Sequence, residues 1–378
     1  MKNLIAFYDS PTSFRTQLED VPALTANDLR SNEVLIKVSV AGSNPKDLKH
    51  PLPAYFNNKL NQGDDCAGTI AAVGAKVRNF RPGDRVAGFH HMDMPFGTYA
   101  EYTICPAQTV FHIPDSLSDE EAATIPLTAF TAAVGLYRNL QLPTPWDRSD
   151  EHAPGEQKIP LVVNAASTAV GSFAIKLAKM NRRIGPIIAT AGASADFVRK
   201  ELGADVVLDY RSPNIEDELK AALKGLTLNH VFDAANSLAS IKYLTAVLKP
   251  GKGRYTCTMA VAPSIYDPDG NAEKLLQKTG LWYEHIWVGD VFGTRLVRTG
   301  TNMDQIAATD KAEGVLFGSI VSKMFEMGLE NGSLSGHPFE VVKGGLDGVD
   351  AALRKLGGGN RGNAKFVTRI ADTVGIAA

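Results

Sequence analysis

Alternation of apolar and polar positions dominates the first third of the chain. Residues 32–41, NEVLIKVSVA, alternate over most of their length, which is the period of a strand with one buried face. Shorter strand-like pieces bounded by glycine or proline follow at 68–73, 85–88 and 99–104, and no long helical pattern separates them. We therefore predict a mostly β segment over residues 1–115.

The pattern changes at Ser118, where helical periodicity begins. Ser118 precedes Glu121 by three positions, the spacing of a capping box that satisfies free backbone N–H groups at a helix start. A helix is predicted from there through the apolar run 125–136. Residues 141–160 contain four prolines and a mixture of charges, which predicts a surface loop because proline cannot continue a helix.

From Ile159 strands and helices alternate regularly. Buried-strand runs lie at 159–166, 186–192, 204–210, 230–235, 253–260 and 281–293, and helical patterns separate the first five at 169–180, 195–202, 215–223 and 237–248. A helical crossover returns each strand in the same direction, so the pattern predicts an α/β fold with a doubly wound parallel sheet. A helix at 311–330 and a final strand, helix and strand follow.

Length and charge narrow the class of protein. A chain of 378 residues exceeds the usual size of one hydrophobic core, so two domains are expected. The formal net charge of -2 gives no general attraction to nucleic acid or to an anionic membrane. The three cysteines are scattered, the start is not leader-like, and no apolar stretch is long enough to span a membrane. We therefore predict a cytoplasmic protein that binds neither nucleic acid nor a membrane.

A candidate nucleotide-binding segment connects the first strand and the first helix of the alternating region. The segment LVVNAASTAVGSFAIK, 161–176, has a turn of small residues before a helix, which can present free N–H groups to a phosphate. The motif G-x-G-x-x-G is absent, and only Gly171 remains. Ser167 and Thr168 add hydroxyl donors, and Ala169 and Val170 follow them. Ordinary packing of a small-residue turn is an open alternative.

The next strand bears on the type of dinucleotide. A site for NADH normally places Asp or Glu about 20 residues on, where it binds the ribose hydroxyls. In this chain the strand ends in Ala189-Thr190-Ala191-Gly192-Ala193-Ser194, the first acid is Asp196, and Arg199 is near. This arrangement favours NADPH, and the alternative is that Asp196 takes the place of the missing acid.

The order of the motifs resembles a known superfamily. The motifs are, in chain order, AGSNPKD (41–47), GDDCAG (63–68), VGAKVRNFRPGDRVAG (73–88), GTYAEY (97–102), IPLTAFTAAVGL (125–136), STAVGSFAIKLAK (167–179) and LGADVVLDY (202–210). Together they resemble the medium-chain dehydrogenase/reductase superfamily, and within it the zinc-free quinone and enoyl reductases. The most similar branch is the fungal ToxD-like one, which includes trans-acting enoyl reductases of polyketide pathways.

The resemblance implies two domains and a set of cofactor-binding residues. It implies a GroES-like β-rich catalytic domain formed by 1–125 and 310–378, and a Rossmann dinucleotide-binding domain at 126–309. The residues that match cofactor-binding positions are Asn44, Asp47 and Thr131 for the nicotinamide and its ribose, Ser167, Thr168, Ala169 and Val170 for the pyrophosphate, Ser194 and Tyr210 for the 2′-phosphate, and Val288 and Lys365 elsewhere along the cofactor.

Metal chemistry is not expected. Zinc dehydrogenases of the superfamily have a cysteine near Asn44 and a His-Glu pair in place of Asp64-Asp65, and many have a four-cysteine lobe. No set of four converging zinc ligands is apparent in the sequence. His90 and His91 are expected to be solvated loop residues, and a fortuitous surface metal site there is the alternative.

The chemistry that then remains accessible is hydride delivery from NADPH to a conjugated carbon. Addition to the β-carbon of an enone, enal or enoyl thioester forms an enolate, which hydrogen-bond donors stabilise. Lys46 and Tyr55 are the catalytic candidates, and Tyr55 as an ordinary packed residue is the alternative. The expected substrate is a small or carrier-bound unsaturated carbonyl compound, with a polyketide synthase as candidate partner. Reduction of an aldehyde or quinone, and dinucleotide binding without turnover, remain alternatives, as do monomer and homodimer.

Overall fold

The computed structural model describes residues 1–10, 13–49, 61, 63–92, 94–147, 158–258, 269–293, 311–358 and 362–376. They form two compact units. The β-rich unit holds the described residues of Met1–Leu127, Val291–Gly293 and Asp310–Ala378, and the α/β unit holds those of Thr128–Asp290. Tyr55 lies outside the described residues.

Strands predominate in the first part of the chain, and helices become frequent after Ser118. The strands are β1 (Lys2–Ser10), β2 (Ser13–Asp20), β3 (Glu33–Gly42), β4 (Asp65–Val73), β5 (Arg85–Phe89), β6 (Tyr102–Pro106), β7 (Val110–His112), β8 (Ile159–Asn164), β9 (Ile184–Thr190), β10 (Val206–Leu208), β11 (His230–Asp233), β12 (Arg254–Cys257), β13 (Trp282–His285), β14 (Phe339–Val341) and β15 (Lys365–Arg369). The α-helices are α1 (Pro45–Lys49), α2 (Asp119–Ala122), α3 (Pro126–Ala133), α4 (Ala169–Lys179), α5 (Ala195–Lys200), α6 (Ile215–Leu223), α7 (Leu238–Val247), α8 (Asn271–Thr279), α9 (Lys311–Glu330) and α10 (Val349–Gly357).

The β-rich unit is built on one mixed sheet with the order β14-β15-β3-β4-β5-β7, and β6 also pairs with β3. Every pair is antiparallel except β14 with β15. β1 and β2 form a separate antiparallel pair. Strand β3 has consecutive buried residues, Val34, Leu35 and Ile36, so it is covered on both faces and not half-exposed as its alternating pattern predicts. Elements that pack on a sheet bury its faces, and both α2 and the 3-10 helix Ile370–Asp372 contact β3.

The α/β unit contains a six-stranded sheet with the order β10-β9-β8-β11-β12-β13, and every pair in it is parallel. The predicted doubly wound parallel sheet is thereby confirmed. The chain moves outward from β8 to β9 and β10, and then returns to the other side of β8 with β11. The direction of winding therefore reverses between β8 and β11, the place where sheets of this kind bind ligands beyond the carboxyl ends of the strands.

Two predicted elements differ from the structure. The helix expected from Ser118 is two helices, α2 and α3, because Pro126 begins a new helix and cannot continue the previous one. The start was predicted correctly, since the Ser118 side chain accepts a hydrogen bond from the Glu121 N–H at 3.1 Å. The strand expected over 281–293 covers only Trp282–His285, and a 3-10 helix follows at Val288–Phe292.

Among the described residues, none of the helices combines the length and the apolar character that a bilayer crossing requires.

Candidate dinucleotide site and buried charge cluster

The turn between β8 and α4 has the local geometry of a phosphate-binding turn. Thr168 is the N-cap residue of α4, and its Oγ1 accepts a hydrogen bond from the Gly171 N–H at 3.1 Å and donates one to the Ala165 carbonyl at 2.8 Å. The N–H groups of Ala169 and Val170 follow in the first helical turn, where a helix has no internal acceptors for them. The predicted residues 167–170 thus lie together at one helix start, which fits a dinucleotide pyrophosphate.

Gly171 is required by close packing at this turn. A Cβ added there would lie 2.5 Å from the Ala165 carbonyl oxygen and 2.8 Å from the Ala166 Cα. Both are backbone atoms, so the turn itself would have to shift. The one glycine left from the usual motif therefore serves the approach of helix to strand end.

The segments that follow β9 and β10 hold the residues predicted for the 2′-phosphate. No carboxylate occurs between the end of β9 and Ser194, and Asp196 is exposed and pairs with Arg199 at 2.8 Å and Lys200 at 3.0 Å on its own helix. Tyr210 is half-exposed after β10, and its ring edge lies 3.1 Å from the position that a Cβ on Gly192 would take. The predicted Ser194 and Tyr210 therefore belong to neighbouring segments at the same sheet edge.

In the β-rich unit, Asp65 organises a buried polar group. Its Oδ1 accepts a hydrogen bond from the Leu127 N–H at 2.6 Å, and its Oδ2 accepts one from the Asn44 Nδ2 at 2.8 Å. The Lys365 ammonium forms an ion pair with the same carboxylate and donates to the Thr124 carbonyl at 3.3 Å. Asn44, Asp65 and Lys365 are all buried, so each buried charge has a partner of opposite sign.

Asp47 forms the adjoining half of this cluster. Its Oδ2 accepts hydrogen bonds from the Asn44 N–H at 2.8 Å and the Tyr99 hydroxyl at 2.7 Å. Complete burial raises the pKa of Asp47 to about 7, although the nearby Lys46 ammonium opposes the shift. The Asp47 carboxyl therefore points into the protein and changes its charge near neutral pH.

Lys46 joins Asp47 to a second carboxylate. Its ammonium forms an ion pair with Asp64 and lies 3.6 Å from the Asp47 Oδ1. Burial by itself would raise the pKa of Asp64, but Lys46 and His90 together bring it below its ordinary value. His90 lies with its Nδ1 3.2 Å from the Asp64 Oδ1 and its Nε2 3.0 Å from the Pro95 carbonyl. His90 is only 1% exposed, so the prediction of a solvated loop residue is wrong for it.

The donor set of this cluster does not fit zinc. Asp64 and Asp65 occupy the positions where the resemblance places zinc ligands, and each carboxylate already pairs with an ammonium group, from Lys46 and Lys365. Two fixed positive charges at these oxygens repel a divalent cation and take the lone pairs that it would need. Within the described ranges, no group of three His, Cys, Asp or Glu side chains is placed to bind a metal ion.

The remaining predicted cofactor residues lie on two other elements. Thr131 is a buried residue of α3, and Val288 is a buried residue at the start of the 3-10 helix after β13. Their roles stay predictions, as does the role of Tyr55.

A further buried polar chain lies in the α/β unit at the ends of β12 and β13. The Cys257 sulfur lies 3.1 Å from the His285 Nδ1, and the His285 Nε2 lies 3.2 Å from Glu273. Complete burial raises the pKa of the Cys257 thiol well above its usual range, so the thiol stays protonated and unreactive at neutral pH. Cys66 and Cys105 are also buried and free.

Sequence reasoning assigned no role to Asn164 and Asp233, two buried polar residues of the α/β unit, and noted Asp65 only at the position of a zinc ligand in relatives. Asn164 and Asp233 end the adjacent strands β8 and β11 and lie opposite each other in register. A usable signal was present, since polar residues at the carboxyl ends of neighbouring parallel strands meet at one edge of the sheet. Asp65 gave no such signal, because its partners come from distant parts of the chain.

Comparison with known proteins places these features in a family. The profile described as "Alcohol dehydrogenase GroES-like domain" matches residues 30–115, and the profile described as "Zinc-binding dehydrogenase" matches residues 169–280. The first match, together with the mixed sheet, confirms the predicted GroES-like fold.

Individual proteins are similar over most of the chain. The trans-enoyl reductase fsr4 of Gibberella fujikuroi is 36% identical over 319 residues, which cover 82% of this chain and 84% of that protein. The trans-enoyl reductase ccsC of Aspergillus clavatus is 30% identical over 358 residues, which cover 90% of each. The crystal structure of CurK enoyl reductase superposes with a TM-score of 0.68 at 22% identity, covering 97% of this chain and 99% of that one, which shows a shared fold.

The small-residue turn before α4, the two carboxylates paired with lysines where the resemblance places zinc ligands, and the similarity over most of the chain all agree. The chain belongs to the medium-chain dehydrogenase/reductase superfamily, in its zinc-free trans-enoyl reductase branch of dinucleotide-dependent oxidoreductases.

Proposed function

We propose that this protein is an NADPH-dependent, zinc-independent reductase that adds hydride to the β-carbon of an activated C=C bond in an enone, enal or enoyl thioester. The observation that carries the proposal is the pairing of Lys46 with Asp64 and of Lys365 with Asp65. These ammonium groups take the carboxylates that a catalytic metal would need in order to polarise an isolated C=O bond. A C=C bond conjugated to a carbonyl group is already electrophilic and needs no such ion.

Residues of the α/β unit support NADPH over NADH. The turn residues Ser167, Thr168, Ala169 and Val170 would hold the pyrophosphate, and Ser194 and Tyr210 would hold the 2′-phosphate. Asp196, the first acid after β9, pairs with Arg199 and Lys200 and is thereby less available to ribose hydroxyls. When bound, NADPH supplies the hydride.

The resemblance assigns further cofactor contacts to Asn44, Asp47, Thr131, Val288 and Lys365, which stay predictions. It also assigns dinucleotide binding to residues 126–309 and substrate chemistry to 1–125 and 310–378. The buried positions of Asn44 and Asp47 suit an indirect role in which they fix the backbone between β3 and α1.

Lys46 is the described residue best suited to the acid–base part of the reaction. Its side chain is 16% exposed, so it is largely buried but open to solvent over a small part. A positive donor of this kind stabilises the negative charge that develops on the carbonyl oxygen as the enolate forms. Reduction is completed when the Lys46 ammonium gives a proton to the α-carbon. Asp47, with a pKa of about 7 and its Oδ1 3.6 Å from the Lys46 nitrogen, can then return a proton to the Lys46 amine and regain one from water.

The relatives named trans-enoyl reductases suggest the form in which substrate arrives. We propose that the unsaturated acyl chain is presented as a thioester by a separate polyketide synthase, in the cytoplasm. A free small-molecule enone or enal would undergo the same chemistry.

The proposal is tested by following the loss of NADPH absorbance with an enoyl thioester, a 2-enal, a quinone and a saturated aldehyde. Consumption with the first two and saturation of the C=C bond in the product are expected, and added chelator should not change the rate. Consumption with the quinone or saturated aldehyde alone would refute C=C reduction. Dinucleotide binding without consumption of NADPH by any compound would show a binding protein without turnover.

Two substitutions test the assigned residues. Lys46→Met should lower kcat much more than Lys46→Arg, which keeps the positive charge, and equal losses would remove Lys46 from charge stabilisation. Tyr210→Phe or Tyr210→Ala should weaken NADPH more than NADH in calorimetry, and equal effects would remove Tyr210 from the 2′-phosphate site.

A further inference from the structure

Ala165, in the turn between β8 and α4, has an unusual backbone conformation. Its φ is +54°, in the left-handed region that side-chain-bearing residues rarely adopt and that persists only where the surroundings enforce it. The Ala165 N–H donates to the Thr190 Oγ1 at 3.1 Å. Its carbonyl accepts from the Thr168 N–H at 3.1 Å and from the Thr168 Oγ1 at 2.8 Å. The strained residue is therefore held on both sides.

Thr190 is itself fixed by Asn164. The Thr190 hydroxyl donates to the Asn164 Oδ1, and the Tyr243 hydroxyl donates to the same oxygen at 2.6 Å. The Asn164 Nδ2 donates in the opposite direction, to the Asp233 Oδ1 at 2.7 Å. All four side chains are buried, so these hydrogen bonds do not compete with solvent.

Asp233 fixes the direction of the hydrogen bonds that link it through Asn164 and Thr190 to Ala165. Its carboxylate also accepts hydrogen bonds from the Ser240 Oγ at 2.8 Å, the Tyr255 hydroxyl at 2.6 Å and the N–H groups of residues 235 and 236 at 2.8 and 2.9 Å. An ionised carboxylate only accepts, so the Asn164 amide must turn its NH₂ to Asp233 and its oxygen to Thr190. The Thr190 hydroxyl proton is then committed to Asn164, which leaves its oxygen lone pairs for the Ala165 N–H.

We infer that Thr190 and Asn164 are positioning residues for the dinucleotide: anchored by Asp233, they hold Ala165 in its strained conformation and so keep the pyrophosphate turn in its binding shape. The inference rests on the proposed function and deepens it. It names the buried side chains that prepare the turn before the cofactor arrives, none of which the sequence pattern or the family resemblance assigned. Preorganisation of this kind raises affinity because the turn need not be ordered on binding.

A matched pair of variants at Thr190 tests the inference in the full-length protein. Thr190→Val keeps the side-chain shape and removes both hydrogen bonds, whereas Thr190→Ser keeps both bonds and removes one methyl group. By calorimetry, Thr190→Val should weaken NADPH and NADH by the same factor, about tenfold, the size expected from losing one or two buried hydrogen bonds. Thr190→Ser should remain within about twofold of the parent protein.

Two further measurements separate positioning from a general loss of packing. Adenosine 2′-monophosphate lacks the pyrophosphate, so its affinity should be the same in Thr190→Val and Thr190→Ser. Adding Ala165→Gly to Thr190→Val should restore most of the NADPH affinity, because glycine adopts positive φ without help. If Thr190→Val does not fold, Thr190→Ala removes the same two bonds with less bulk and takes its place.

The outcomes distinguish the inference from the function on which it rests. If the parent protein binds neither dinucleotide, the proposed function fails. If the parent binds NADPH but Thr190→Val binds it as tightly as Thr190→Ser, only the positioning role is refuted. Equal weakening of adenosine 2′-monophosphate, or no recovery with Ala165→Gly, would likewise overturn it.

Discussion

The buried carboxyl of Asp47 predicts an unusual dependence of stability on pH. Its pKa is raised from 3.8 to about 7 by burial, against the opposing charge of Lys46. Between these two values the folded protein keeps a proton that the unfolded chain releases. The stabilisation due to Asp47 is therefore fully present below about pH 4 and is lost as the pH rises through 7.

The size of the effect follows from the shift. A displacement of roughly three pKa units corresponds to about 4 kcal/mol of unfolding free energy at most, since each unit is worth about 1.4 kcal/mol. Between pH 5 and pH 7.5 the expected loss is about 2.5 kcal/mol, because part of the titration lies below that window. The groups that face Asp47 are Lys46, Tyr99, the Asn44 N–H and, through Lys46, Asp64.

The assay is urea denaturation of the parent protein and Asp47→Asn at several pH values from 5 to 7.5. The amide oxygen of asparagine can still accept hydrogen bonds from the Asn44 N–H and the Tyr99 hydroxyl, but the side chain does not titrate. Titrations of groups that do not interact with Asp47 occur in both proteins and cancel in the difference. The unfolding free energy of the parent protein minus that of Asp47→Asn should fall by about 2.5 kcal/mol from pH 5 to pH 7.5. Parallel curves for the two proteins would refute the reasoning.

Three further predictions concern other described residues. Burial lowers the pKa of His230 to about 4, so the unfolded chain takes up a proton at a higher pH than the folded protein does. The unfolding free energy, measured by urea denaturation, should therefore drop by up to about 3 kcal/mol as the pH falls from 6.5 to 4. The unfolding free energy of His230→Gln should drop less over the same range. Gly171→Ala would place a Cβ 2.5 Å from the Ala165 carbonyl oxygen, and calorimetry should show NADPH affinity reduced by about tenfold or more. Lys365→Met leaves the Asp65 carboxylate buried without its ammonium, and urea denaturation should show a loss of about 3 to 5 kcal/mol at pH 7.

Two of these variants have a matched control. Gly358→Ala adds a Cβ with no neighbour closer than 3.7 Å and should bind NADPH normally; equal binding by Gly171→Ala would show that the turn tolerates the clash. Lys355→Met removes an exposed ion pair and should cost at most about 1 kcal/mol, and a similar small loss in Lys365→Met would contradict a buried pair. Identical pH curves for the parent protein and His230→Gln would contradict the shift at His230.

The proposed reductase links these measurements to activity. If Asp47 returns protons to Lys46, Asp47→Asn should lower the reduction rate as well as flatten the pH dependence of stability. An enzyme in which only stability changes would indicate that Asp47 supports the loop and takes no part in proton return.

Local periodicity was enough to predict much of the fold. The helix bounds 215–223 and 311–330 agree with α6 and α9, and the alternation of strand and helix from Ile159 predicted the parallel sheet. Such patterns are local, since each residue's exposure in a strand or helix is repeated within a few positions. The small-residue turn at 167–170 and the absence of an acid after β9 are also local features, so the sequence was enough to predict the candidate dinucleotide turn.

Only the tertiary structure decided which polar side chains meet in the interior. Asp65 pairs with Lys365, 300 residues away, and Asp47 accepts from Tyr99, 52 residues away. Neither partner is encoded in a local period, because a buried polar group selects its partner by distance and desolvation after the elements have packed. The same reason explains why His90 is buried against Asp64 and why Asp47 faces inward. The sequence determined the elements and their order, and tertiary packing determined which charged side chains are buried together.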